Sequence, residues 1–338
     1  MGGGGSYYDR DVSDSSSRTS SGTSRVSEEA MSRDYVDKAL LPKDRKLVCK
    51  AKSPIVYAFD VTGSMDSLPK IIYDKMPMIA GQLVEQGYLE DPMISIAAVG
   101  DIISDKAPMQ MADFSLIRSL DTWLQLIWLE KNGGGQGKES YEFTAYFYAR
   151  MAEISKAVTP FCLFTGDEGF REELLPTALN QHFGGEHQKV SAFDVFEELK
   201  KKFKGNVYLI HRTYGQGSDD KVVKQWHEAL GKERVIILPD DLAIADVTLG
   251  LFAVTVGNRS LKQYLGEMKE REQTKSRIDE VGKALEVVAS LAKPKPADAD
   301  EEEDSAADDE EEKKPAKSDK KNPAGKKKPG AGKKPGRF

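Results

Sequence analysis

The stretch from Ile55 to Met65 constrains the fold more than any other. Ile55, Val56, Tyr57, Ala58 and Phe59 are apolar without alternation, the pattern of a strand buried on both faces. Polarity then changes within one residue, and Asp60, Thr62 and Ser64 place three oxygen-bearing side chains in five positions. Ligand sites in open α/β sheets lie just beyond the carboxyl ends of strands. One carboxylate beside two hydroxyls is an oxygen set that suits a hard divalent cation such as Mg2+. Gly63 lets the loop turn tightly enough for the three to converge. An Asp/Thr/Ser turn closed by local side-chain to backbone bonds is the competing account of the same residues.

The rest of the chain alternates strands with helices. A short edge strand is expected over 46–49. Spacing of Ile71, Ile72, Met76, Ile79, Leu83 and Val84 predicts a helix over 71–86, with Gly87 as its stop. Further helices are expected over 116–130, 141–158, 190–203 and 221–230. Trp123 and Trp128 read as core. Buried strands are expected over 93–99, 159–165, 207–210 and 235–238. This alternation predicts a doubly wound, mainly parallel sheet flanked by helices. Leu261, Leu265, Met268, Ile278, Val281, Leu285 and Val288 then predict one long helix over 260–291, with a polar gap around 271–275. It reads as a terminal helix packed on the domain, with a coiled-coil or partner-binding role as the alternative.

Both ends lack the apolar residues for a core. Residues 1–40 are read as a disordered Gly/Ser-rich arm, and 293–338 as a disordered tail. In that tail, residues 298–312 hold eleven acids, and 313–337 hold eleven bases against one acid. Such blocks are commonly solvated or interaction tails. The formal net charge of −6 argues against nucleic acid as the main partner. No run approaches the length of a membrane span, and the first thirty residues lack a signal-peptide core, so no membrane partner is expected. Cys49 and Cys162 are too few for a disulfide framework or a zinc cluster, which fits a reducing, cytoplasmic setting. His182 and His187 have the wrong offset for one helix face, and no zinc-hydrolase motif is present.

The segment Asp60-Val-Thr-Gly-Ser64-Met resembles the first segment of the metal-ion-dependent adhesion site of von Willebrand factor A domains, Asp-x-Ser/Thr-x-Ser after a central strand. The loop Gly133-Gly-Gly-Gln136, with Glu139 beyond it, is similar to a Gly-Gly-Gly-Asp-x-x-Glu form of the second segment. Gln136 stands where Asp or Thr is expected, and Ser140 is the alternative donor. Phe161-Cys-Leu-Phe-Thr-Gly-Asp167-Glu168 resembles the third segment, with Asp167 as the better candidate and Glu168 as runner-up. These occur in the family's order within about 46–257, the expected domain, with the helix over 258–292 outside it.

The resemblance, to intracellular prokaryotic members of the family, implies a site for Mg2+ or Mn2+ held by Asp60, Thr62, Ser64, Asp167 and either Gln136 or Ser140. It also implies a partner protein that completes the shell with an Asp or Glu, and a non-catalytic adaptor role beside an AAA+ ATPase. Asp101, Asp105, Asp240 and Asp241 are expected on the same acidic rim. Two rival readings remain. One is the same fold with a vacant site, acting as pure scaffold. The other is a haloacid-dehalogenase-like phosphatase with Asp60 as nucleophile, against which Thr62 fills the place of that family's second carboxylate. No phosphate loop and no Gly-x-Ser-x-Gly elbow is present.

Overall fold

A computed structural model describes residues 35–129, 137–214 and 219–291. The arm before residue 35, the loop holding Gln136 and the acidic-then-basic tail lie outside the described residues. Six strands form the central sheet: β1 (Ser53–Asp60), β2 (Pro92–Val99), β3 (Met109–Met111), β4 (Phe161–Gly166), β5 (Val207–Arg212) and β6 (Val235–Leu238). Their order across the sheet is β6-β5-β4-β1-β2-β3. All neighbours are parallel except β3, which closes one edge antiparallel to β2. The fold is thus a doubly wound α/β sandwich, as the alternating pattern predicts.

Successive residues of β1 face opposite layers, which is why the strand reads as continuously apolar. Ile55, Tyr57 and Phe59 enter one core with α1 (Leu68–Glu85), α7 (Ile244–Val256), α8 (Leu261–Glu270) and α9 (Lys275–Ala289). Val56 and Ala58 enter the other, with α3 (Tyr141–Arg150), α4 (Pro176–Phe183), α5 (Ala192–Lys202) and α6 (Asp219–Leu230). Fully buried side chains of this size contribute roughly 1.5–3 kcal/mol each, so the sheet's level is fixed strongly from both sides. Among the described residues no helix is long and apolar enough to cross a membrane.

Four departures from the expected elements have identifiable causes. The helix expected over 260–291 is two helices, α8 and α9. Glu272 adopts φ +61° between them, and the Thr274 side chain caps α9 by accepting from Arg277 N. Both pack on α7, where a Cβ on Gly250 would stand 2.3 Å from Leu285 Cδ1 and 2.5 Å from the Tyr264 ring. The helix expected over 116–130 is only a 3-10 turn, Ile117–Ser119, and α2 (Leu120–Leu124). Gln110 captures the next backbone, accepting from Trp128 N at 2.9 Å and donating to Trp128 O at 2.7 Å. Trp128 itself is buried in place, as expected.

The helix expected over 141–158 stops at Arg150, because Ala152–Glu153 pairs in parallel with the edge strand Leu47–Val48. Finally, α7 was not expected at all. It is buried on every side, so it carries no amphipathic period to read.

Candidate functional site

Strand register brings the chemistry to one edge. Phe59 of β1 lies opposite Thr165 of β4, and His211 of β5 lies opposite Gly166. Asp60, Asp167 and Arg212 therefore leave three adjacent strands at nearly one level. From β1 the chain runs first to β2 on one side, then to β4 on the other. Such a reversal opens a crevice at the carboxyl ends of the two strands, and Asp60 and Asp167 stand on its two sides.

Within the crevice four side-chain oxygens form a connected run. Thr62 donates to Asp60 Oδ1 from its backbone N at 2.7 Å and from Oγ1 at 2.6 Å. Thr62 Oγ1 lies 3.3 Å from Ser64 Oγ, which donates to Asp167 Oδ1 at 3.0 Å. Asp60, Thr62 and Asp167 are buried, whereas Ser64 is half-buried and Gly63 exposed, so the run meets solvent at Ser64. The 3-10 turn Gly63–Met65 sets this spacing.

Tyr141, the first residue of α3, donates its hydroxyl to Asp60 Oδ2 at 2.8 Å. Its ring packs edge-on against Trp226 and Phe164, with centroids 5.3 and 6.2 Å away. The hydroxyl passes over the backbone of Gly166, where a Cβ would stand only 1.6 Å from it. Only glycine at that position leaves the path open.

Burial and mutual repulsion govern the charges. Burial first, then the Asp167 charge, pushes the Asp60 carboxyl up to about 7. Burial also raises Asp167. Glu139 is 0% exposed, and neither of its carboxylate oxygens has a hydrogen-bond partner among the described residues. Burial, followed by the charges of Asp60 and Glu168, pushes it up to about 10. Glu168, raised by burial and Asp167 to about 6, also keeps Oε2 unpartnered. Glu139 and Gly169–Phe170 belong to one short parallel pair, which holds the second and third sequence segments together.

The remaining sequence candidates fall in different places. Ser140 Oγ accepts from Ile102 N at 2.8 Å and so holds the loop after β2. Gln136 lies outside the described residues. Asp101 is buried and paired with Arg171, while Asp105 accepts from Asp101 N at 2.7 Å. Asp240 pairs with Arg277 of α9, and Asp241 accepts from Arg212 Nε at 3.0 Å.

These residues meet two tests for a hard cation. The run Asp60–Thr62–Ser64–Asp167 has oxygen spacings of 2.6, 3.3 and 3.0 Å. Adjacent ligands of an octahedral shell at 2.0–2.1 Å are about 3 Å apart. The surroundings also hold a surplus of buried carboxylate oxygen without donors, on Asp167 Oδ2, Glu139 and Glu168, which a cation offsets. Among the described residues no group of three or more His, Cys, Asp or Glu is arranged to hold a metal ion. The run that fits has two carboxylates and two hydroxyls.

Sequence reasoning missed Tyr141 and Arg212. Tyr141 entered only as the first residue of the helix expected over 141–158. Arg212 lay two residues beyond the strand expected over 207–210 and was given no role, although its place at the carboxyl edge was a usable signal.

No family model matches the chain, and no curated protein matches it. Among solved structures it is similar to proximal thread matrix protein 1 from the mussel byssus, at 11% identity and TM-score 0.41, over 61% of this chain and 48% of that one. It is also similar to the pilus adhesin SpaC from Lactobacillus rhamnosus GG, at 10% identity and TM-score 0.42, over 62% of this chain and 31% of that one. The chain thus spans about half of the first structure and a third of the second.

Proposed function

We propose that this chain is a non-catalytic protein-interaction module of von Willebrand factor A type. Asp60, Thr62, Ser64 and Asp167 hold Mg2+ or Mn2+, and a partner protein's Asp or Glu completes the shell. One observation carries the reading: the four oxygens run at 2.6, 3.3 and 3.0 Å within the crevice. A divalent cation bound there supplies an open coordination position for one carboxylate oxygen.

The chain's own residues do the remaining work. Asp60 and Asp167 provide formal charge, one from each side of the crevice. Tyr141 fixes the rotamer of Asp60 by holding Oδ2. Thr62 and Ser64 contribute neutral oxygens and leave the face beside exposed Gly63 clear for the partner. The buried Asp60, with three donors on its two oxygens, is poorly placed as a nucleophile, which favours binding over phosphoryl transfer. The family resemblance extends the proposal to an adaptor beside an AAA+ ATPase in the cytoplasm.

The vacant-scaffold reading has one observation in its favour. Arg212 Nη1 lies 3.9 Å from Asp167 Oδ2 and partly offsets its charge without a metal. Thermal unfolding separates the two. With Mg2+ at about 100 times its dissociation constant, stabilisation by roughly 2.7 kcal/mol is expected, a rise of roughly 5–10 °C for a domain of this size. A midpoint unmoved by Mg2+ and Mn2+ supports the scaffold.

A further inference from the structure

Arg212 is the residue of this edge to which the cation gives no task. Its Nη1 donates to the Ser64 carbonyl at 3.0 Å, beside the contact with Asp167, and its Nε donates to Asp241 Oδ1 at 3.0 Å. Asp241 is held in turn by Ser67 Oγ at 3.3 Å. The guanidinium is therefore pinned through Nε and Nη1, and among the described residues Nη2 has no hydrogen-bond partner. The side chain is still 22% exposed. Its Nη2 therefore keeps N–H donors for one oxygen of a carboxylate.

Arg212 also lines an open depression of about 550 Å³, with Ile71, Leu238, Pro239 and Leu242 as its apolar part and Asp240 and Asp241, paired with Arg277 and Arg212, as its acidic part. Leu242 is 59% exposed, a large apolar side chain left bare just after Asp240 and Asp241. Arg212, which holds the Ser64 carbonyl, thus adjoins the apolar surface that includes Leu242.

The geometry points to Arg212 as a second anchor for the partner's carboxylate, and to the depression as the seat for the residue beside it. The partner segment is then an Asp or Glu flanked by a leucine-like side chain. This rests on the cation reading of the Asp60 run. The fit is one of charge and polarity: a carboxylate oxygen beside Ser64 comes within reach of the guanidinium, and its apolar neighbour covers Leu242. A merely structural Arg212, neutralising Asp167 and Asp241, affects folding and cation affinity. It leaves the affinity of the loaded protein for a carboxylate unchanged.

The test uses the full chain at Mn2+ concentrations that saturate each variant, after circular dichroism has verified folding. Water-proton relaxation by bound Mn2+ reports displacement of its water by the blocked peptides Ac-Leu-Glu-Leu-NH2, Ac-Leu-Gln-Leu-NH2 and Ac-Gly-Glu-Gly-NH2. The glutamate peptides are expected to bind, the leucine-flanked one more tightly, and the glutamine peptide not. Arg212→Gln is expected to weaken Ac-Leu-Glu-Leu-NH2 about tenfold, the effect of one hydrogen bond to a charged group. Arg212→Lys falls between. Leu242→Ser weakens the leucine-flanked peptide alone.

Equal peptide affinity in wild type and both Arg212 variants overturns the Arg212 assignment and leaves the cation reading standing. So does a wild-type protein that binds Mn2+ but neither glutamate peptide. Failure of wild type to bind Mn2+ overturns both.

Discussion

Tyr141 donates its hydroxyl to Asp60 Oδ2 at 2.8 Å, across 81 residues of sequence. The bond joins the first turn of one helix to the end of the central strand, and burial makes it costly to lose. Tyr141→Phe leaves a buried carboxylate oxygen without a donor, so stability is expected to fall by about 1–3 kcal/mol in urea unfolding. The same bond favours the charged form of Asp60, so the variant holds its proton to higher pH. Mn2+ affinity at pH 7 is expected to drop roughly tenfold, as when a group that orients a ligand is removed. It should recover in part at pH 8.5.

Gly166 keeps the path of that hydroxyl open. Gly166→Ala places a methyl group 1.6 Å from the Tyr141 oxygen and must displace the ring or the strand. Overpacking of this kind costs about 1–3 kcal/mol. Because the clash is with the hydroxyl first, the cost should be smaller in a Tyr141→Phe background. A double-mutant cycle on unfolding free energies measures the coupling. Additive costs would mean that the two residues do not meet as described.

The metal-free protein is expected to be less stable at pH 8 than at pH 5. Burial pushes Asp60 to about 7, Glu142 to about 8 and Glu139 to about 10, all above their unfolded values near 4. Between those limits the folded chain binds more protons than the unfolded one, so stability falls as pH rises. For Asp60 the loss begins near pH 4 and is complete a little above pH 7, where the carboxyl is charged in both states. The urea midpoint across this range checks the sign. Glu139→Gln should flatten the slope, since its amide cannot titrate, and a midpoint that rises with pH would contradict the account.

Several features of this molecule were plain in the residues. The break from Phe59 to Asp60 marked the end of a buried strand, and the oxygens that follow do converge. Asp167 was legible for the same reason, as the first carboxylate beyond the third strand of the parallel set. What stayed hidden depends on contacts distant in sequence. Nothing local indicates that Gln110 takes the backbone of Trp128 and stops a helix. The turn between Glu270 and Lys275 left a trace, the polar gap at 271–275, but apolar spacing on both sides suggested continuity. The helix Ile244–Val256 lacks a polar face because Leu285, Tyr264 and the sheet surround it. The buried, unpartnered state of Glu139 is a tertiary fact, although the residue itself was noticed.

The central claim is that Asp60, Thr62, Ser64 and Asp167 form one cation site. Titration calorimetry of Mn2+ and Mg2+ into the full-length protein, beside Asp60→Ala and Asp167→Asn variants verified as folded, tests it most directly. One saturable site in the wild type, lost in Asp60→Ala and weakened at least about tenfold in Asp167→Asn, is the expected result. Absence of binding in the wild type, or binding that survives both substitutions unchanged, would contradict it.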